Sequence, residues 1–195
     1  MPKIVNHDQR RRVIAQATVE VITKSGLEAT KLVDIARIAG VTTGAITHYF
    51  SDKDAVLMAA LELTYDAMFT RMKRVAVSED NRFYEVMAQA LPMTRKSRKS
   101  MSVWLGFWSR ALAEPRVAAQ QMEFHSRWLA QVKMELIRHC ELFAMPVPDD
   151  LQDVCEGITA QVNGLIIRGL VDASDWPQAR QRKALKTYLT QIGML

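Results

Sequence analysis

Through almost the whole chain, apolar residues recur three and four positions apart, and stretches that strictly alternate apolar with polar are nearly absent. That periodicity suits helices and not strands, so the fold is expected to be all-α. The spacing predicts a first helix from about Asp8 to Lys24, with Val13, Ala17, Val21 and Ile22 on one face, Arg10, Arg11 and Arg12 at its start, and Gly26 just past its end as a left-handed cap. Thr30 is expected to cap a short second helix ending at Ala39, Thr42 or Thr43 a third ending at Phe50, and Ser51 with Asp52 to open a long fourth reaching about Val75. Farther on, Pro92, Pro115, the pair Pro146 and Pro148, and Pro177 fall between periodic segments, where a missing N–H costs least, and they delimit about five more helices.

The stretch from Leu32 to Phe50, LVDIARIAGVTTGAITHYF, constrains function as well as fold. Ala36 is small where a second helix must cross closely, Gly40 supplies the positive φ of a tight corner, and Ile35, Val41, Ile46 and Tyr49 fall on faces that meet in a small core. Any helical hairpin can carry a glycine at its corner. What favours a DNA reader is the third helix, whose Thr42, Thr43, Gly44, Ala45, Thr47 and His48 leave a slim surface suited to a major groove about 12 Å wide. Threonine hydroxyls and helix N-terminal N–H groups suit phosphates, and Thr47 and His48 suit base edges. Lys53 opens the fourth helix, a poor place for a cation on dipole grounds unless a phosphate faces it; a solvated side chain is the competing reading.

The net charge of +5 favours contact with phosphates without specifying it. The basic run Arg95, Lys96, Arg98 and Lys99 reads as a solvated loop between helices. Cys140 and Cys155 lie in no paired motif, as expected of buried thiols in a reducing compartment. Met1 to Gln9 has no apolar leader core, and Val162 to Val171 is short and broken by Arg168, so a cytoplasmic protein is expected. No nucleophile elbow, phosphate-cradling glycine loop, zinc-protease helix or paired carboxylates argue for catalysis, and no cofactor is expected. A metal site from His125, His139 or Cys140 is not favoured. The non-catalytic alternative to a DNA reader is a helical protein-interaction module that does not bind DNA specifically, and the salt dependence of DNA retention separates the two.

The run from Thr30 through Ile35-Ala36, Gly40-Val41, Gly44, His48-Tyr49-Phe50 and Lys53, followed by Ala55-Val56-Leu57, resembles the TetR family of repressors. The resemblance implies a homodimer of nine or ten helices per chain, in which a ligand displaces the fourth helix and releases operator DNA. It divides the chain into a helix-turn-helix DNA-binding domain at 1–53 and a helical ligand-sensing and dimerisation domain at 54–195. The expected DNA-contacting residues are Thr30, Thr42, Thr43, Gly44, Thr47, His48, Tyr49 and Lys53. Many members carry Tyr at the place of Thr47; the choline-responsive betaine-pathway repressors, which VTTGAITHYFSDK also resembles, have a small hydroxyl residue there. The segments Val103-Trp104-Leu105-Gly106-Phe107-Trp108 and Val162-Asn163-Gly164-Leu165 are similar to that subgroup too.

Trp104, Phe107 and Trp108 recur at helical spacing, as do Phe124 and Trp128 on the next helix. Most such aromatics are core. Yet an aliphatic core needs no indole N–H groups, so Trp104, Phe107, Trp108 and Trp128, with Glu123 as a nearby carboxylate, are the expected wall of a pocket for a small-molecule effector, a cation foremost. Leu151, Val154, Cys155, Ile158, Val162, Leu165, Ile166 and Gly169 form a broad apolar stripe, and Leu185, Tyr188, Leu189 and Ile192 another. Periodicity leaves open whether these build an interface between two chains or a core within one.

Overall fold

The computed structural model describes residues 7–75 and 82–195, so Met1 to Asn6, in the polar N-terminal stretch, lie outside it. Among the described residues the chain is α1 (His7–Ser25), α2 (Leu32–Ala39), α3 (Thr43–Tyr49), α4 (Lys53–Val75), α5 (Arg82–Ala88), α6 (Arg95–Ala111), α7 (Pro115–Leu142), α8 (Leu151–Val171) and α9 (Gln178–Gln191), without strands. None of these helices is long and apolar enough to cross a membrane.

Two cores organise the packing. Ile14, Ala17, Val21, Ile35, Ala36, Ile46, Phe50 and Val56 fill the smaller one among α1 to α4. The larger joins Ile22, Leu27 and Leu57 to α4 through α9, with Phe83, Phe107, Phe124 and Leu136 fully enclosed. The neighbours Val56 and Leu57 enter different cores, so a division of the chain at 53–54 runs along packed helices rather than through a linker.

Several expectations need correction. The buried face of α1 begins at Ile14 and not at Val13, which is 40% exposed: Ile14, Ala17, Thr18, Val21 and Ile22 form the buried stripe, and Val13, four before Ala17, falls at its edge and is left outside. Lys31, not Thr30, occupies the cap of α2, because the Thr30 hydroxyl turns back to donate to the Gly26 carbonyl at 2.8 Å. The basic run is no loop. It is the first turn of α6, opened by a reciprocal cap in which Thr94 accepts from the Ser97 N–H and Ser97 accepts from the Thr94 N–H. In α8, Cys155, Ile158, Val162, Leu165, Ile166 and Gly169 face the chain's own core, as Leu185 and Leu189 of α9 do. Gly157 does mark a close approach, for a Cβ there would stand 2.8 Å from the Tyr188 hydroxyl, whereas Gly164 faces open space.

The corner between α2 and α3 depends on Gly40, at φ 66°, whose N–H bonds the Ala36 carbonyl. Nothing lies within 4 Å of where its Cβ would be, so the demand is purely conformational. Gly40→Ala should therefore lower stability by about 1–2 kcal/mol, the cost of left-handed backbone for an L-residue. Urea unfolding checks this, and an unchanged midpoint would mean that the corner relaxes.

Candidate functional site

The first candidate surface is built on α3. Its cap is Thr42, whose Oγ1 accepts from the Ala45 N–H at 3.1 Å. Only Ile46 of this helix is fully buried; Thr42, Thr43, Gly44, Thr47 and His48 are exposed together, as the sequence led one to expect. The Thr47 hydroxyl donates to the Gly44 carbonyl at 3.0 Å, which leaves it an acceptor and a methyl to present outward. His48 stands edge-on to Tyr49, with ring centroids 5.2 Å apart. Tyr49 is half-buried and packs on His7.

Arg11 is the residue that sequence reasoning undervalued. Its guanidinium donates to the Tyr49 carbonyl and lies 4.2 Å over the Phe50 ring, pinning the C-terminus of α3 to α1. The pattern of three consecutive arginines carries no signal of which one turns inward. Thr30 is buried, with both its N–H and its hydroxyl engaged by backbone carbonyls, so its side chain takes no part in this surface.

At the start of α4, Asp52 caps the helix, its Oδ1 accepting from the Ala55 N–H at 2.7 Å. That hydrogen bond, with one from Ser51, holds the Asp52 carboxyl below its ordinary pKa. Lys53 follows, half-buried and in no ion pair among the described residues.

The second candidate site is a cavity of about 30 Å³ in the larger core. Tyr65 of α4, Trp104 and Trp108 of α6, His125 and Trp128 of α7 and Asn163 of α8 line it. Each indole is treated differently. Trp128 donates to Thr159 Oγ1 at 3.0 Å, and Trp104 hydrogen-bonds the Tyr65 phenol, which stacks on Phe124 at 4.2 Å. Trp108 Nε1 is buried with no hydrogen-bond partner among the described residues. Burial pushes the Tyr65 phenol well above its ordinary pKa, so it stays neutral.

Two expected members fall away. Phe107 is enclosed in the core and does not reach the cavity, and Glu123 is exposed, accepting from the Gln120 side chain at 3.0 Å. Among the described residues, therefore, no carboxylate lines the space. Tyr65, His125 and Asn163 were missing from the expected wall; the spacing of α4 marks Tyr65 only as apolar-facing, Asn163 stood out only as part of a segment similar to the subgroup, and no periodicity aims His125 at the space. His139 lies 14 positions along α7 from His125, about 21 Å away, and packs against Phe83 and Phe143.

Residues 14–60 match the family model described as bacterial regulatory proteins, tetR family, and residues 80–193 the model described as BetI-type transcriptional repressor, C-terminal. The chain is 28% identical over 196 residues to the HTH-type transcriptional regulator BetI of Escherichia coli (strain K12), covering 98% of this chain and 97% of that protein. It is 30% identical over 174 residues to the BetI of Burkholderia cenocepacia, covering 87% and 86%. Among solved structures it is similar to a transcriptional regulator from Rhodococcus sp. Rha1, with a TM-score of 0.81 at 24% identity over 93% of this chain and 95% of that one. It is also similar to a regulator from Saccharomonospora viridis in complex with choline, with a TM-score of 0.81 at 22% identity over 94% and 96%.

The cap of α3 gives a direct test of the first surface. Thr42→Ala should cost about 1 kcal/mol of stability in chemical denaturation, and Thr42→Ser should restore most of it. Equal stability of all three proteins would remove the cap from the account.

Proposed function

The chain belongs to the TetR family, carries a BetI-type C-terminal domain and is a DNA-binding transcriptional regulator rather than an enzyme, and from this we propose that it is a homodimeric repressor released from its operator by a small organic cation. It acts in the cytoplasm on a near-palindromic operator. A two-fold dimer sets its two α3 helices on one face of the duplex about 34 Å apart, or a multiple of that. Thr47 and His48 meet base edges. Thr42, Thr43, the N–H groups at Gly44 and Lys53 meet phosphates, and Tyr49 closes the rim.

Dimerisation is typical of the family, and the outer face of α8 supports where it occurs. Ala160, Gly164, Ile167 and Val171 are spaced four, three and four residues apart, and all are exposed. Such a seam of small and apolar residues suits a second copy of the same helix, with α9 beside it.

The observation that carries the ligand reading is a cavity walled by Trp104, Trp108, Trp128 and Tyr65, with no carboxylate among the described residues that line it. Each aromatic face attracts a cation by about 0.5–2 kcal/mol, so several together hold a quaternary ammonium that a lone ring would not. The unpaired Trp108 N–H suits an oxygen acceptor on the same ligand. The Saccharomonospora viridis protein holds choline, which is in keeping with this chemistry. At about 30 Å³ the space takes water, so entry of the cation must part the walls. One wall is α4, the helix that begins at Lys53 beside the DNA surface.

Two measurements test this. Lys53→Ala should weaken all DNA sites alike and reduce the slope of log K against log salt by about one, since a phosphate contact carries no base information; a slope equal to the parent's would end that assignment. Calorimetry with choline, betaine aldehyde and larger lipophilic cations should find binding that Trp104→Ala or Trp128→Ala weakens by about 3- to 30-fold. Binding of neutral or anionic apolar compounds with none of the cations would reject the cation, and unchanged affinity in both variants would reject the aromatic wall.

A further inference from the structure

Beside the apolar packing of the larger core, the basic first turn of α6 ties α1 to the end of α8 through polar contacts. Lys99 pairs with Glu20 of α1, on the DNA-reading side. Its neighbour Arg98 reaches the opposite way and donates to the carbonyls of Gly169, at 2.6 Å, and Leu170, at 3.3 Å, in the last turn of α8. Those carbonyls lie where a helix runs out of its own donors and carries partial negative charge, so an arginine there both satisfies and neutralises. Gly169 is itself pressed on α9, for a Cβ at this position would stand 2.6 Å from the Gln181 side chain. The ends of α8, α9 and α6 thus form one block.

The rest of α6 holds the reader. A Cβ at Gly106 would stand 3.3 Å from that of Leu27, in the turn after α1. In its last turn Arg110 pairs with Asp54 of α4 at 2.9 Å and with Glu114 at 2.6 Å.

We propose that α6 is a splint that sets the separation of the two DNA-reading heads, with Arg98 as its rivet to the dimerisation helices and Lys99 as its rivet to α1. This rests on the reading that α8 and α9 form the dimer interface. A duplex with one base pair added between half-sites displaces one of them by about 3.4 Å and a tenth of a turn. A stiff dimer must strain to follow, whereas a compliant one follows freely but is less well preorganised. The Lys99–Glu20 pair is partly exposed, and pairs of that kind add little stability, so its loss registers in geometry rather than in folding.

The test uses the full-length protein and an operator selected from random DNA, remade with one or two base pairs inserted or removed at its centre. The parent should lose about tenfold or more in affinity for a one-base-pair change. Arg98→Met and Lys99→Glu should each reduce that loss to about threefold or less, with base preference inside the half-site and the sedimentation of the dimer unchanged. Glu20→Lys added to Lys99→Glu should restore the parent's discrimination, a rescue that mere destabilisation does not predict. If Arg98→Met fails to fold, the Lys99 and Glu20 variants carry the test. Full retention of the spacing penalty in the variants, or a dimeric parent indifferent to spacing, overturns the splint. A monomeric parent is instead the failure of the dimer reading, seen in sedimentation before any DNA is added.

Discussion

Consecutive residues of one helix, Val56 and Leu57, pack into different cores, and the behaviour of the molecule depends on that sharing of α4. The small core of α1 to α3 is completed by Val56, with Ala55 and Ala59 packed against it, so the reader has no closed interior of its own. About two and a half to three turns farther on, Tyr65 and Met68 of the same helix line the cavity. Interiors are close-packed and resist small voids, so α4 cannot move at the cavity and stay fixed at the reader without opening space in one core or the other. The geometry of the cavity and that of the DNA reader thereby share one mechanical variable.

The parts legible in the sequence are those where a local steric demand has one solution. Gly40 at a left-handed corner, Ala36 beneath a crossing helix and Thr42 at a cap each state their role within a few residues. Periodicity reached farther but stopped at ties. Val13 and Ile14 are adjacent and apolar, and only the placement of α2, α3 and α4 decides which is buried. In α8 both faces carry apolar residues: Cys155, Ile158 and Val162 on one, Ile167 and Val171 on the other, and only the placement of α6, α7 and α9 separates core from surface.

The cavity shows the same limit at finer grain. Trp104 and Trp108 are four apart and share a face of α6, which brings both indoles to the space. Phe107, three from Trp104, lies on the other flank of that face and is drawn into the core instead. Glu123 precedes the buried Phe124 by one position and consequently points away. Which flank of a helix meets a cavity is set by its neighbours' positions, information held by residues far away in the chain.

The proposed response to a cation has to meet the arithmetic of switching. Moving a two-state equilibrium from 1:99 to 99:1 requires the ligand to prefer one state by about 10⁴-fold, or about 5.5 kcal/mol. A few cation–π contacts of about 0.5–2 kcal/mol each supply that much only if nearly all of them are absent from the other state. For the proposed cation, walls that enclose only about 30 Å³ would meet the requirement by exclusion, because a trimethylammonium group is larger than the water that such a space takes. Under that proposal the ligand's preference would be set by whether the indoles and Tyr65 stand apart or together. Since Tyr65 rides on α4, a cation admitted there would shift the floor of the reader, and under the proposed function linkage would make the operator weaken ligand binding by the same factor that the ligand weakens the operator's hold.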